Sequence, residues 1–341
     1  MVISIPLSFF SGIGGASKAG ILVKGSNYLE LLGKAKIAVF DKTGTLTKGV
    51  FKVVETCANG ISEDDLLELA AYGEYYSNHP IAASIKAAYK GTVQIDRLDG
   101  YEEISGMGIK VLKDGKEVLV GNKKLLDSRK ISMAGAKQPS KVGTVLFVAE
   151  NGAYKGCITI ADEIKDGVKD AIASIKKCGI DNVVMLTGDK KEVADSVAKE
   201  LGIDTVCAEL MPGDKVDKVE QLLREKDEDS TLIFTGDGIN DAPVLMRADV
   251  GIAMGAMGQD AAIEAADIVL IDDDPGKIAV AYAIARKTVR IVQQNIVFAL
   301  AVKIIVMVLG ALGFANMWAA VFADVGVAFL AIINATRALK P

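Results

Sequence analysis

An aspartate that ends a short apolar strand and opens a glycine-threonine turn is placed to accept a phosphoryl group. Here Ile37-Ala38-Val39-Phe40 runs into Asp41-Lys42-Thr43-Gly44-Thr45-Leu46-Thr47. A carboxylate at the C-terminal end of a buried parallel strand faces the crevice where open α/β sheets bind ligands. The turn behind it offers backbone N–H groups and hydroxyls to phosphate oxygens. Attack by Asp41 on a γ-phosphate gives an aspartyl-phosphate, a recognised covalent intermediate.

Three later segments carry compatible chemistry. Val183-Val184-Met185-Leu186 leads into Thr187-Gly188-Asp189, with a hydroxyl suited to hydrogen-bond a phosphoryl group. Met211-Pro212-Gly213-Asp214-Lys215 opens an amphipathic helix, and Lys215 brings positive charge towards a transferring phosphoryl group. Leu232-Ile233-Phe234 leads into a polar cluster that holds Asp237, Asn240 and Asp241. Magnesium takes oxygen ligands, commonly one or two carboxylates plus substrate phosphate. Each segment alone is an ordinary strand-to-helix turn; four in this order define a phosphoryl-transfer site.

The run from Asp41 to Thr47 resembles the haloacid-dehalogenase-like superfamily. Its phosphatases carry a second Asp two places after the acceptor, which protonates the leaving group and activates water. Thr43 occupies that position here and does neither, so the resemblance implies a long-lived acyl-phosphate. The complete run is similar to the signature of the P-type ATPases. That resemblance implies a Mg²⁺ site made by Asp41, Asp237 and the Thr43 carbonyl, with ATP as the phosphoryl donor.

Asp41 and Thr187 lie 146 residues apart, and the resemblance implies that they belong on adjacent strands of one sheet, so the segment between them loops out as its own domain. Strand-like runs at Gly108–Leu112, Glu117–Val120 and Thr144–Val148 alternate with hairpin turns at Asp114-Gly115 and Asn151-Gly152. Helices predicted over Glu63–Tyr76 and Ile81–Tyr89 flank the sole histidine, His79, in Ser77-Asn78-His79-Pro80, where Pro80 suits a first helical turn. This inserted module is similar to the nucleotide-binding domain of the heavy-metal P-type ATPases. By that resemblance His79, Glu102, Gly106 and Gly108 of Gly106-Met107-Gly108, and Gly121-Asn122 bind ATP.

Two apolar stretches, Asn295–Phe314 and Met317–Asn334, each approach the roughly 20 residues that cross a bilayer. Arg286, Lys287 and Arg290 precede the first and Arg337 and Lys340 follow the second, which puts both outer ends in the cytoplasm. The pair reads as a helical hairpin of a multi-pass cell-membrane protein whose catalytic body is cytoplasmic. Within it Lys303 and Asp324 fall at similar depth, and charges there are expected to serve function. Both match the zinc, cadmium and lead exporting subgroup by resemblance. Copper prefers soft sulfur ligands, and the hairpin offers only Met307 and Met317.

A net charge of −5 and the lack of basic clusters argue against a nucleic-acid partner. Cys57, Cys157, Cys178 and Cys207 have no metal-binding spacing and read as reduced, mostly buried thiols. The expected fold is α/β. It combines a haloacid-dehalogenase-like Rossmannoid phosphorylation domain at 30–49 and 154–280, an α+β nucleotide-binding domain inserted at 50–153, a partial transmembrane helix and stalk at 1–29, and a stalk with a C-terminal transmembrane helical hairpin at 281–341. The expected function is ATP-driven export of Zn²⁺, Cd²⁺ or Pb²⁺ by the catalytic C-terminal half of a transporter. The family's Thr-Gly-Glu actuator loop and Cys-Pro-Cys motif are missing from these residues, so transport is expected to need a polypeptide that supplies them. The alternatives are a membrane-tethered phosphohydrolase and an ATP-binding regulatory fragment.

Overall fold

The computed structural model describes residues 3–77, 79–237, 241–255 and 260–340. In chain order the strands among them are β1 (Ile21–Val23), β2 (Ala35–Asp41), β3 (Thr47–Ala58), β4 (Leu98–Ile104), β5 (Gly108–Lys113), β6 (Lys116–Gly121), β7 (Thr144–Glu150), β8 (Ala153–Ile164), β9 (Asn182–Leu186), β10 (Thr205–Cys207), β11 (Thr231–Gly236), β12 (Val250–Met254) and β13 (Ile268–Leu270). They belong to two compact units, Met1–Leu46 with Lys165–Pro341, and Thr47–Ile164.

The first unit holds a sheet ordered β1-β13-β12-β11-β2-β9-β10. All its neighbours are parallel except β1, which runs antiparallel along β13. Parallel sheets are covered on both faces and therefore need apolar strands throughout. Every residue of β11 and β12 is accordingly buried. Val39, Val184, Leu186, Leu232 and Phe234 pack with Val219, Val244 and Leu245 from the covering helices.

The second unit is an antiparallel sheet ordered β3-β8-β7-β6-β5-β4. Helices Glu63–Gly73 and Pro80–Ala88 cover one face, where Leu66, Leu69 and Ile85 meet Ile109, Val111, Val118 and Val120. Helix Lys123–Ser128 packs Leu125 and Leu126 against Leu119 and Tyr154 in a second cluster. Positive φ at Asp114-Gly115 and Asn151-Gly152 gives the tight turns expected of these hairpins. The expected insertion ran from 50 to 153, but β3 and β8 pair from Thr47 opposite Ile164 to Ala58 opposite Gly156. That long pairing carries the unit's edges out to Thr47 and Ile164. The helix expected to reach Tyr76 stops at Gly73, whose Cα lies too close to Val120 to leave room for a Cβ.

The N-terminal helix spans Ser4–Lys18 and continues through Pro6 and Gly14-Gly15. Gly12 meets Thr288 and Leu29, and Gly15 meets the Ala338 carbonyl, so small residues permit the contact. Among the described residues two helical segments are long and apolar enough to cross a membrane, Gly276–Ala311 and Met317–Leu339. The first is one continuous rod of 36 residues, about 54 Å at 1.5 Å per residue. Its N-terminal part buries Ile278, Ala281, Tyr282 and Ala285, and the Tyr282 hydroxyl donates to the Ala35 carbonyl at the start of β2. Further along, Asn295 donates to Ser8 and to the Ala331 carbonyl and accepts from Asn334. Those bonds tie three helices together.

Candidate active site

Register places the acceptor. Asp41 is the last residue of β2 and pairs with Leu186, the last residue of β9, so Thr187 directly follows that strand. On the other side Phe40 pairs with Thr235 of β11, whose chain reaches Asp237 two residues on. Asp41, Thr187 and Asp237 therefore leave the same edge of three neighbouring parallel strands, the edge where open α/β sheets bind ligands. At the turn after Asp41, Thr43 has φ −74° and ψ 127° and Gly44 has φ 76° and ψ −21°, a type II geometry. A Cβ on Gly44 would strike the Asp237 carboxylate, so glycine is required there twice over. Thr43 is exposed at the corner. Lys42 turns inward and meets Asp189 at 2.6 Å, and the Asp189 N–H donates to the buried Thr187 hydroxyl at 3.1 Å.

Lys215 arrives from the first turn of helix Pro212–Glu225, which starts where Asp214 accepts the Met211 N–H at 2.8 Å. Its Nζ lies 2.6 Å from Asp41 Oδ1 and 2.9 Å from Asp241 Oδ1. Carboxylate oxygens of Asp41, Asp237 and Asp241 all fall within 4.8 Å of one another. Burial, and then the Asp241 charge, push the Asp41 carboxyl up to about 7 against the pull of Lys215. Burial and Asp241 likewise raise Asp237. Burial disfavours the charged Lys215 ammonium, but Asp41 and Asp241 outweigh it and leave its pKa raised.

Lys215 bonds two of the three clustered carboxylates, and the hard oxygen donors of the cluster suit Mg²⁺. Among the described residues the buried Thr45 and Thr235 hydroxyls have no hydrogen-bond partner, consistent with a site built around a further polar group. Asp241 thus joins Asp41 and Asp237 in the carboxylate cluster, beyond the ligand set read from the sequence. Asn240 lies outside the described residues.

A raised carboxyl pKa has a stability consequence. Between the ordinary value of 3.8 and about 7, folded Asp41 keeps its proton while the unfolded chain releases it, so stability falls as pH rises through this window. Without divalent cations, denaturant unfolding from pH 4 to 7 should show a loss of a few kcal/mol, since each pKa unit is worth about 1.4 kcal/mol. Asp41→Asn should flatten that slope; an unchanged slope would mean that Asp41 ionises normally.

In the second unit His79 caps helix Pro80–Ala88, its Nδ1 accepting the Ile81 N–H at 3.2 Å. The glycine motifs meet where β5 crosses to β6. Asn122 donates from its side chain to the Gly106 carbonyl and from its backbone to Met107, both at 2.8 Å. A Cβ on Gly108 would strike the Val120 carbonyl, and one on Gly121 would strike that of Met107. Glu102, a nucleotide-binding residue by resemblance, stands on β4, away from the helix that His79 caps. It lies opposite Lys110 on the β4–β5 ladder and pairs with it at 2.8 Å on the exposed side. The carboxylate beside His79 is Glu74, buried at 6% exposure, whose pKa burial raises against the influence of Ser77 and His79. The edge-on Tyr76–Tyr101 ring contact, 5.5 Å between centroids, joins this junction to β4. The available signal was a charge ending the apolar run Leu69-Ala70-Ala71-Tyr72, five residues before His79.

In the hairpin, Lys303 Nζ meets Asp324 Oδ1 at 2.9 Å. Asp324 sits in a π-helical turn, Phe322–Gly326, a distortion frequent at functional sites. Met307, Asn316 and Met317 border the same cleft.

Residues 35–249 match a protein family described as hydrolase, haloacid dehalogenase-like. Over 341 residues the chain is 55% identical to a cadmium, zinc and cobalt-transporting ATPase of Bacillus subtilis (strain 168), covering 48% of it. It is 53% identical over 341 residues to a zinc-transporting ATPase of Synechocystis sp., covering 47% of that protein. A crystal structure of a zinc-transporting PIB-type ATPase in the E2.Pi state superposes with a TM-score of 0.84 at 35% identity, covering 99% of this chain and 55% of the other. The chain spans about half the length of the curated relatives it matches.

Proposed function

We propose, because this chain belongs to the P-type ATPases of the haloacid-dehalogenase-like superfamily, that Asp41 accepts the γ-phosphoryl group of ATP and that the resulting acyl-phosphate drives export of a divalent heavy-metal ion such as Zn²⁺ or Cd²⁺. The observation that carries this reading is the cluster of Asp41, Lys215, Asp237 and Asp241 at one edge of the parallel sheet. An Asp41 carboxylate oxygen attacks the γ-phosphorus, the bond to the β,γ-bridging oxygen breaks, and ADP leaves with that electron pair. Lys215 holds Asp41 and offsets the charge on the transferring group, and the Thr187 hydroxyl donates to it. Asp41, Asp237 and the Thr43 carbonyl would hold Mg²⁺, which would supply further charge neutralisation. Thr43 has no carboxyl to activate water, so the acyl-phosphate persists while the membrane part responds. Lys303 and Asp324 act on the ion, Asp324 as a hard oxygen ligand or its neighbour and Lys303 as a built-in counter-charge on release.

The nucleotide is held by the second unit through His79, the Gly106 and Gly108 turn, Gly121-Asn122 and Glu74. Titration calorimetry of the full chain with Mg²⁺-free ATP should show His79→Ala and Glu74→Gln each weakening binding about ten- to a hundredfold, the loss of roughly 1–3 kcal/mol. Glu102→Gln should change it less than either. Wild-type affinity in His79→Ala would reduce that residue to a helix cap. Transfer of label from γ-labelled ATP to the chain, without release of phosphate from simple monoesters, separates this reading from a phosphohydrolase and from a regulatory ATP binder.

A further inference from the structure

We propose that Lys165 is a positioning residue for phosphoryl transfer, locking the Thr43–Gly44 turn so that the acceptor loop and Asp237 keep the geometry that a divalent cation needs. The inference rests on the phosphoryl-transfer reading of the Asp41 site. Lys165 is the residue at which the chain re-enters the first unit. Its backbone N–H donates to the Leu46 carbonyl at 3.0 Å, directly after the acceptor turn. Its side chain is largely buried and runs back along that turn: Nζ donates to the Gly44 carbonyl and lies 2.9 Å from Asp273 Oδ2.

Gly44 is where this grip matters. The residue has a positive φ, and the Asp237 carboxylate lies against its Cα. Rotation about the Gly44 backbone would therefore move the Thr43–Gly44 peptide across the face of Asp237. Lys42 and its 2.6 Å partner Asp189 hold the first residue of the turn. Lys165 holds its far side, and the acceptor loop is pinned at both ends by a buried ammonium. Lys165 touches neither Asp41 nor a phosphoryl position through any bond described above, so its action is through the turn.

The partner groups that orient metal ligands typically change metal affinity by about 10- to 100-fold when removed. Mn²⁺ binding to the full chain, read from the loss of the free-ion paramagnetic resonance signal, should weaken by about that factor in Lys165→Met. Lys165→Arg, which keeps the charge and a donor for the Gly44 carbonyl, should recover most of it. The Mg²⁺ concentration for half-maximal labelling from γ-labelled ATP should rise in parallel, whereas Mg²⁺-free ATP affinity should stay at the wild-type value. A lower melting temperature with unchanged Mn²⁺ affinity would make Lys165 a packing residue and overturn the proposal. Should Lys165→Met fail to fold, Asp273→Asn loosens the same lysine from its other side and must weaken Mn²⁺ binding in turn; unchanged affinity there overturns the proposal as well. If wild-type chain takes no label at all, the phosphoryl-transfer reading fails, while the Mn²⁺ comparison still decides the role of Lys165.

Discussion

Lys215→Met should slow labelling from γ-labelled ATP by about 10²- to 10³-fold, the effect typical of losing one preorganised charge donor at a transferring group. The loss has two sources. The cation that faces the migrating phosphoryl group is gone, and Asp41 loses the partner at 2.6 Å whose charge opposes the rise that burial gives its pKa. With Asp241 still beside it, the Asp41 carboxyl should climb above its wild-type value of about 7 and stand protonated, hence non-nucleophilic, at neutral pH. Raising the pH should therefore recover part of the rate in Lys215→Met, because proton loss is what the variant lacks. The same replacement leaves buried carboxylates without their counter-charge, which costs about 3–5 kcal/mol when one partner of a buried pair is removed. Thermal melts should show that loss most strongly above pH 7 and less below, where protonation of Asp41 relieves the repulsion. Lys215→Arg keeps the charge but puts a planar fork in place of a compact ammonium, and should fall between wild type and Lys215→Met. Rates within about threefold of wild type in Lys215→Met would exclude the electrostatic role given to this residue.

Much of the first unit was legible because its strands are buried on both faces. Runs such as Val183–Leu186 and Leu232–Phe234 are continuously apolar and end at the residues that carry the chemistry, so strand ends and site residues were read together. The neighbouring order of β2 and β9 came from resemblance, since nothing local joins Asp41 to residue 187. The apposition of Lys303 and Asp324 followed from counting helical rise on each side of a short connector, and the ion pair is present.

Other features depend on pairings that local sequence does not encode. The edges of the inserted unit are set by β3 and β8, more than a hundred residues apart, whose alternating polar residues look like loop until the ladder forms. Glu102 matched a family pattern in order, but the β4–β5 register turns it towards Lys110. A charged residue at a helix end is ordinarily solvated, so nothing local marks Glu74, which the fold buries. The rod Gly276–Ala311 joins an apolar span to a stretch with Arg286, Lys287 and Arg290, which the composition alone divides in two.

The other large effect falls on Asp41 itself. Asp41→Asn is nearly isosteric and removes one of three crowded carboxylates, so it should fold at least as well as wild type at pH 7 and still bind ATP through the second unit. What it removes is the nucleophile. An amide oxygen neither carries the charge needed for attack nor forms an acyl-phosphate, so labelling should fall to background rather than to a fraction. An acyl-phosphate is also chemically marked: hydroxylamine cleaves it, whereas serine and threonine phosphates resist.

The most direct measurement is label from γ-labelled ATP with Mg²⁺, quenched in acid, digested, and mapped by mass spectrometry on wild type and Asp41→Asn side by side. Hydroxylamine-sensitive label confined to the peptide bearing Asp41 in wild type, and absent from Asp41→Asn, is the predicted result. Label that persists in Asp41→Asn, or that maps to another residue in the wild-type chain, would contradict the account.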